Sequence, residues 1–161
     1  MSSYFDYFSI PQLFDVDLAV LEKAYFSAQR QYHPDRFVGK PTEERTQALQ
    51  KSMDINKAYE VLKNPLKRAQ YLLHLQGIEV GGEHDSIKPD QALLVEIMDL
   101  REQLEEQKDI KLVNQLIDLH ENSLLDISKY YVKNDWQKMA QETIRLGYLV
   151  KMLDENKIKH L

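Results

Sequence analysis

Apolar residues recur at helical spacing through nearly the whole of this 161-residue chain. Spacings of three and four residues place apolar side chains on one face of an α-helix, whereas a half-buried strand requires alternation at every second residue. No stretch alternates in this way for long enough to predict a strand. The sequence therefore predicts an all-α protein in which amphipathic helices bury their apolar faces against one another.

The first half of the chain is predicted to contain two long helices and one short one. Asp17 is placed to cap the first helix, and Pro34 ends it, because proline disfavours helical backbone at the residue before it. The second helix begins near Thr42, and the short helix is predicted to open at Asn64-Pro65 and to end at Gly77. The apolar stripes are Leu18, Leu21, Tyr25, Ala28 and Tyr32 in the first helix and Ala48, Ser52, Ile55, Tyr59 and Leu62 in the second. The two long helices are expected to form an antiparallel hairpin.

The second half is predicted to be an antiparallel three-helix bundle. Residues 77–89, which include Gly81-Gly82, show little apolar periodicity and are interpreted as a linker. Beyond them, helical patterns cover residues 90 to about 107, 110 to about 132 and 135 to about 155, with breaks short enough for hairpin turns. The predicted organisation is thus one domain over residues 1–76, a linker over 77–89 and a bundle over 90–161.

Composition excludes several classes of protein. A formal net charge of -5 argues against bulk nucleic-acid binding, which needs a clustered excess of lysine and arginine. No apolar run approaches the roughly 20 residues of a membrane span, and the first residues lack the features of a signal peptide, so a cytoplasmic protein without membrane contact is expected. The absence of cysteine excludes thiolate ligation of zinc or of an iron-sulfur cluster by this chain.

Intrinsic catalysis is not expected from this sequence. There is no glycine-rich phosphate loop, no cysteine nucleophile and no motif around any serine. The histidines are scattered, and none is paired at metal-ligand spacing with an acidic third residue. The chain is therefore predicted not to be an enzyme, and to hold neither a cofactor nor a metal ion.

The tripeptide His33-Pro34-Asp35 lies between the two long helices of the first half. Residues in such a connection are presented to solvent, where they can contact a partner. Proline restricts the backbone, so the imidazole and the carboxylate lose little freedom on docking. The alternative is structural: Pro34-Asp35 forms a turn, and His33 caps the last carbonyls of the preceding helix.

Basic residues flank this tripeptide on both sides. Lys23 and Arg30 precede it in the first predicted helix, and Arg36 follows it directly. Their charges can steer an acidic groove of a partner toward the tripeptide, where Asp35 accepts hydrogen bonds from a partner arginine. Such a contact is expected to be polar, sensitive to salt and weak.

The first predicted helix of the second half is apolar on two sides. The stripe that suits the bundle core consists of Leu93, Ile97, Leu100 and Leu104. Roughly opposite lie Leu94, Val95 and Met98, flanked by Asp99 and Glu102. A helix of this kind must bury both sides or offer one of them to a partner. Burial against the first half or another helix and exposure to a partner both remain open at this point.

Several segments together carry a family resemblance. A helix, His33-Pro34-Asp35, residues 53–62 (MDINKAYEVL) and Pro65 resemble a J-domain over roughly residues 4–76. Residues 29–37 (QRQYHPDRF) and 65–73 (PLKRAQYLL) are similar to the HscB branch of that family, as is Leu100-Arg101-Glu102 in the second half. The likeness covers nearly the whole chain, and it indicates an HscB-type J-domain co-chaperone of iron-sulfur cluster assembly.

The resemblance implies two partners. The first is an HscA-like chaperone of the DnaK class, whose ATP hydrolysis is triggered by a tripeptide matching His33-Pro34-Asp35. The second is the iron-sulfur scaffold protein IscU, which the co-chaperone delivers to that ATPase. The residues that match the scaffold-binding positions of the family are Leu94, Val95, Met98, Asp99, Glu102 and Tyr148. The expected protein is a monomeric co-chaperone in the bacterial cytoplasm, with the mitochondrial matrix as the alternative location.

The sequence departs from the family pattern at one predicted chaperone-binding position and two predicted scaffold-binding positions. Arg36 stands where many relatives carry lysine, which preserves the positive charge. Val95 and Tyr148 replace a methionine and a phenylalanine, and both substitutions keep an apolar anchor. The departures therefore change the expected contacts only in detail.

Two further classes of function compete with the co-chaperone interpretation. A general J-protein for unfolded clients predicts a Gly/Phe-rich linker or a β-rich domain with zinc-binding cysteines, and the sequence contains neither. An unrelated helical scaffold of signalling type predicts that a DnaK-class ATPase does not respond to the protein, or responds equally after Asp35→Asn.

Overall fold

The computed structural model describes residues 2–158, and within them the protein is built from α-helices and one 3-10 turn, without a strand. The helices are α1 (Tyr4–Tyr7), α2 (Leu18–Tyr32), α3 (Thr42–Lys63), α4 (Pro65–His74), α5 (Gln91–Glu106), α6 (Ile110–Val132) and α7 (Trp136–Glu155), and the 3-10 turn is Pro34–Phe37. The all-α prediction is confirmed. The ends of the predicted domains, at residue 1 and at 159–161, lie outside the described residues.

Helix starts follow the capping residues of the sequence. The Asp17 carboxylate accepts hydrogen bonds from the backbone N–H groups of Ala19 and Val20, at 3.0 and 3.2 Å. The Asn64 side chain accepts from the N–H of Lys67 at 3.0 Å, with Pro65 as the first helical residue. Each cap satisfies donors that a helix leaves unpaired in its first turn. The predicted starts of α2 and α4 are correct.

The end of α4 is fixed by a glycine. Gly77 has a φ of +77°, a conformation that side chains with a Cβ disfavour. Its N–H donates to the carbonyl of His74 at 2.9 Å, and the N–H of Ile78 donates to the carbonyl of Leu73 at 3.0 Å. This pair of bonds is the Schellman arrangement, in which glycine reverses the chain after the last turn.

By backbone proximity, the chain divides into two compact units between Arg68 and Ala69. In the first unit α2 and α3 run antiparallel, since Tyr25 is hydrogen-bonded to Asn56 while Gln29, one turn later, reaches back to Ser52. The predicted hairpin is therefore present. Its buried apolar residues, including those of the N-terminal segment, are Phe5, Phe8, Phe14, Leu21, Ala48, Ile55, Ala58 and Leu62.

The predicted core stripe of α2 is wrong at its first position. Leu18 is 52% exposed, although the sequence pattern assigned it to the core. It is the first residue of the helix, and the preceding segment contributes Phe14, which is buried. Tyr25 and Tyr59 are half-buried, and their rings stack with centroids 4.0 Å apart. The stripe is thus fully buried at Leu21, whereas further along α2 it is half-buried at Tyr25, whose ring stacks on Tyr59 of α3.

The second unit contains the three-helix bundle. α7 packs against both α5 and α6, and α5 runs parallel to α7, because Asp90 is bonded to Gln141 at one end and Lys108 to Asn156 at the other. α6 therefore runs in the opposite direction, as an antiparallel bundle of three consecutive helices requires. One core cluster consists of Leu93, Ile97, Leu100, Leu116, Leu149, Met152 and Leu153.

The division between the units falls inside α4, ahead of the segment that the sequence indicates as a linker. That segment, residues 77–89, contains turns and bends, and parts of it are hydrogen-bonded locally. Glu79 and Ser86 exchange two bonds of 3.0 and 2.8 Å, and Asp85 accepts from the N–H of Gly82 at 2.7 Å. The assignment of residues 1–76, 77–89 and 90–161 to domain, linker and bundle stays a prediction.

Two leucines of α2 offer a matched test of this description. Leu21 is completely buried, so Leu21→Ala is expected to lower the free energy of unfolding by about 2–5 kcal/mol through lost burial and the cavity left behind. Leu18→Ala, at an exposed position less than one turn away, is expected to cost within about 0.5 kcal/mol. Urea unfolding followed by circular dichroism measures both, and equal effects of the two variants would contradict the structure.

Candidate functional site

The connection after α2 is an ordered turn. His33 leaves helical geometry, with φ -60° and ψ 135°, and Pro34–Phe37 form the 3-10 turn. The Asp35 N–H donates to Nδ1 of His33 at 3.2 Å, and the Asp35 carboxylate lies 3.6 Å from the same nitrogen. The side chains of His33 and Asp35 are nevertheless 56% and 89% exposed. An imidazole and a carboxylate are thus held in one geometry and remain open to a partner.

The end of α2 is capped by an arginine. Nη1 of Arg36 donates to the backbone carbonyl of Arg30 at 3.1 Å, in the last turn of the helix. The structural alternative for the tripeptide assigned the capping of such carbonyls to His33. Instead, the His33 ring caps the start of the 3-10 turn. Arg36 therefore has a structural role that the sequence pattern did not indicate, and its role in chaperone binding stays a prediction.

Most of the predicted chaperone-binding residues meet in one place. A shallow groove along α2 and the turn is lined by Phe26, Gln29, Arg30, His33 and Arg36. Pro34 and Asp35 directly follow His33 in the turn. Lys23 is exposed two helical turns before Arg30, on the same side of α2. The basic face predicted from the sequence is thus continuous with the tripeptide.

A group of hydrogen bonds centred on Gln29, a lining residue of this groove, forms a clip between α2 and α3. The Gln29 amide nitrogen donates to the Asn56 side chain at 2.7 Å and to the Ser52 carbonyl at 3.3 Å, and the Ser52 hydroxyl donates back to Gln29 at 2.9 Å. The Tyr25 hydroxyl donates to the same Asn56 oxygen at 2.7 Å. The clip fixes the position of α2 on α3 and hence the origin of the turn.

The exposed side of α5 is the second candidate surface. Leu93, Ile97 and Leu100 are buried and Leu104 is partly buried, as the bundle stripe predicts. On the other side, Leu94, Val95 and Met98 are exposed to between 39% and 67%, and Asp99 and Glu102 are exposed beside them. The other helices of the second unit therefore do not bury this second stripe.

Tyr148 occupies a different setting from the rest of this predicted set. It lies on α7, half-buried against the core cluster that includes Ile97 and Leu100. One turn earlier on the same helix, Arg145 forms ion pairs with Glu96 of α5 and Glu142. Burial lowers the pKa of the Arg145 guanidinium, and the Asp90 carboxylate opposes that change. These contacts orient α5 on α7, so its exposed stripe keeps a fixed direction.

Two further findings on the described residues concern membrane spans and metal sites. In the part of the chain from 2 to 158, no helix has both the length and the apolar character needed to cross a membrane. In the same part, no three or more histidine and carboxylate side chains are grouped closely enough to hold a metal ion.

Comparison with known proteins identifies both halves of the chain. Residues 3–71 match the model of the DnaJ domain, and residues 89–157 match the model described as the HSCB C-terminal oligomerisation domain. The co-chaperone protein HscB of Proteus mirabilis is 40% identical over 173 aligned residues, covering 98% of this chain and 94% of the relative. The chain belongs to the HscB family of J-domain co-chaperones.

Solved structures of HscB proteins have the same fold. The chaperone HscB from Vibrio cholerae is 30% identical, with a TM-score of 0.83 over 97% of this chain and 96% of that one. The human co-chaperone protein HscB is 27% identical, with a TM-score of 0.85 over 97% of this chain and 81% of that one. The family predicted from the sequence is confirmed, and with it a J-domain co-chaperone of iron-sulfur cluster assembly whose partner is a DnaK-class chaperone.

One residue of the groove in this HscB-family protein was not among those predicted from the sequence. Phe26 lies outside the predicted core stripe of α2 and is 53% exposed. Its ring contacts that of Tyr25, with centroids 5.4 Å apart, and it lines the groove beside Arg30. The available signal was a large aromatic residue on the polar side of an amphipathic helix.

Proposed function

We propose that this HscB-family protein stimulates the ATPase of an HscA-like chaperone of the DnaK class and delivers an IscU-like scaffold protein to it. The protein acts as a monomer in the bacterial cytoplasm and performs no catalysis itself. The observation that carries the proposal is the exposed, ordered turn of His33, Pro34 and Asp35 beside a basic helix face.

The turn supplies a donor and an acceptor at fixed positions. Because Nδ1 of His33 accepts the Asp35 N–H, the neutral ring carries its proton on Nε2 and can donate it to the partner. The Asp35 carboxylate can accept from a guanidinium of the partner, a charge-assisted contact stronger than one between neutral groups. Since Pro34 and the 3-10 turn already fix the backbone, little conformational entropy is lost on docking.

The basic face brings the partner to this turn. Lys23 and Arg30 are exposed on the side of α2 that leads to His33. Exposed charges of one sign accelerate the encounter with an oppositely charged surface and are screened by salt. The partner surface is therefore expected to be acidic, and the complex to weaken as the ionic strength rises.

Asp35→Asn tests the turn directly. The change keeps the shape of the side chain and removes its charge, so a lost charge-assisted hydrogen bond of about 1.5–3 kcal/mol weakens stimulation by roughly 10-fold or more. Single-turnover ATP hydrolysis by the cognate chaperone, with wild-type or variant protein, measures the effect. Glu44→Gln removes one exposed charge from the first turn of α3 and is the control expected to stimulate like wild type. Full stimulation by Asp35→Asn would refute the assigned role.

The exposed stripe of α5 is the proposed scaffold site. Leu94, Val95 and Met98 supply apolar anchors, and Asp99 and Glu102 supply a negative rim. A scaffold surface with an apolar centre and basic edges complements this arrangement. Tyr148 supports the site from α7, where it packs on the core beneath α5. An interface with few apolar anchors and a polar rim favours moderate affinity and reversible binding, as delivery of the scaffold requires.

Leu94→Ala combined with Met98→Ala is expected to weaken scaffold binding by about 10-fold or more, because truncating a central anchor costs about 1–2 kcal/mol. Stimulation of the chaperone ATPase in the absence of scaffold is expected to be unchanged. Calorimetric titration with the scaffold measures the affinity. Leu125→Ala with Val132→Ala, at residues of α6 that are 69% and 71% exposed, is the matched control. Equal scaffold affinities for both double variants would rule out the site on α5.

A further inference from the structure

Lys51 of α3 places its ammonium group against two aromatic rings that belong to other helices. Its Nζ lies 4.4 Å from the ring centroid of Tyr7 in α1 and 6.0 Å from that of Tyr32 in α2. A cation within about 6 Å of a ring centroid is attracted by the negative face of the aromatic system. One side chain therefore joins three helices of the first unit.

The two rings are the partners of this charge. Among residues 2–158, the Lys51 ammonium has neither a hydrogen bond nor an ion pair with another residue. Lys51, Tyr7 and Tyr32 are all half-buried, and partial removal of water strengthens the attraction between a cation and a ring. The charge of Lys51 is thus used for contacts within the unit.

One of these contacts lies next to the tripeptide. Tyr32 is the last residue of α2, and His33 follows it directly. The clip fixes α2 one turn earlier, where Gln29 is bonded to the Ser52 carbonyl. Because α3 runs antiparallel to α2, Lys51 lies beyond the clip in the direction of the turn. Its contact with Tyr32 therefore restrains the last turn of α2, from which the tripeptide emerges.

We propose that Lys51 is a positioning residue for stimulation of the DnaK-class ATPase. Through Tyr32 it holds the end of α2, and with it the His33 ring, in the geometry that the chaperone recognises. Tyr7, whose ring stacks on that of Tyr4 with centroids 6.2 Å apart, anchors the same ammonium to α1. The inference rests on the proposed function, because it assigns Lys51 to the action of the tripeptide without a contact between Lys51 and the chaperone.

This role predicts a particular kind of defect. Without the charge, the last turn of α2 is less restrained before docking, and the chaperone must order it, which costs affinity. Once the complex has formed, His33 and Asp35 are in place as before. The concentration of protein that gives half-maximal stimulation is therefore expected to rise about 3-fold, the size of one cation–π contact, while the maximal rate is unchanged.

The test is single-turnover ATP hydrolysis by the cognate chaperone, titrated with the full-length protein. Lys51→Met keeps the length of the side chain and removes its charge, so the 3-fold rise is expected. Lys51→Arg keeps a cation that is attracted by aromatic rings, so a value close to that of the wild type is expected. Lys67→Met, at an exposed lysine of α4, is the matched control and is expected to leave the titration unchanged. Thermal unfolding followed by circular dichroism verifies that every variant is folded.

Salt separates positioning from attraction of the partner. An exposed ammonium that attracts an acidic partner loses its effect as the ionic strength rises, whereas a half-buried contact within the unit is screened much less. The defect of Lys51→Met is therefore expected to be the same at low and high salt. A defect that disappears at high salt would assign Lys51 to the basic face and refute its positioning role.

A second measurement uses the protein alone. The Asp35 N–H donates to Nδ1 of His33, so its amide resonance reports the geometry of the turn. In a proton–nitrogen correlation spectrum, Lys51→Met is expected to shift the amide resonances of Tyr32 and Asp35, and Lys51→Arg to shift them much less. Unchanged resonances in folded Lys51→Met would overturn the inference.

The outcomes distinguish this inference from the proposed function. Normal stimulation by the wild type together with an identical titration of Lys51→Met would overturn the inference and leave the proposed function standing. Equal defects of Lys51→Met and Lys51→Arg would show that packing of the lysine matters and not its charge, which also contradicts the inference. Failure of the wild type itself to stimulate the chaperone would overturn the proposed function, and with it the role of Lys51.

Discussion

The hydrogen bonds between Gln29 of α2 and Asn56 of α3 set the geometry on which the first unit depends. They fix the register of α2 along α3. Because Pro34 ends the helix, this register sets the position in the first unit at which the turn begins. Arg36 then closes the end of α2 by bonding the Arg30 carbonyl, which leaves the His33 ring to order the turn. A polar contact between the helices thus determines where the imidazole and the carboxylate stand, while apolar burial beneath it supplies the stability.

The second unit places apolar residues on its surface at a thermodynamic cost. Fully burying a leucine, valine or methionine side chain contributes about 1.5–3 kcal/mol, so exposing Leu94, Val95 and Met98 forgoes several kcal/mol of folding stability. The opposite stripe of α5 and the ion pairs of Arg145 hold the helix in place without them. The exposed stripe can therefore be covered and uncovered by a partner while the bundle stays intact.

Local rules predicted much of this structure from the sequence. Asp17, Asn64 and Gly77 act through their own backbone neighbours, so the helix ends they determine follow from a few adjacent residues. Tertiary features were less accessible. Leu18 is exposed although it belongs to the apolar stripe of α2, whereas Phe14 of the preceding segment is buried, and the capping role of Arg36 depends on how the 3-10 turn folds back on α2. Periodicity found both stripes of α5, but only the structure showed which one forms the core of the bundle.

The same distinction explains why the triplet was easier to interpret than the surface around it. His33, Pro34 and Asp35 are adjacent in sequence, and their order alone defines a rigid turn with two polar groups. Gln29 and Asn56 come together only because α2 pairs with α3 in one register, which no local pattern encodes. The groove beside the turn includes Gln29 and therefore depends on that register, so changing the clip at Asn56 would alter the turn and the groove together.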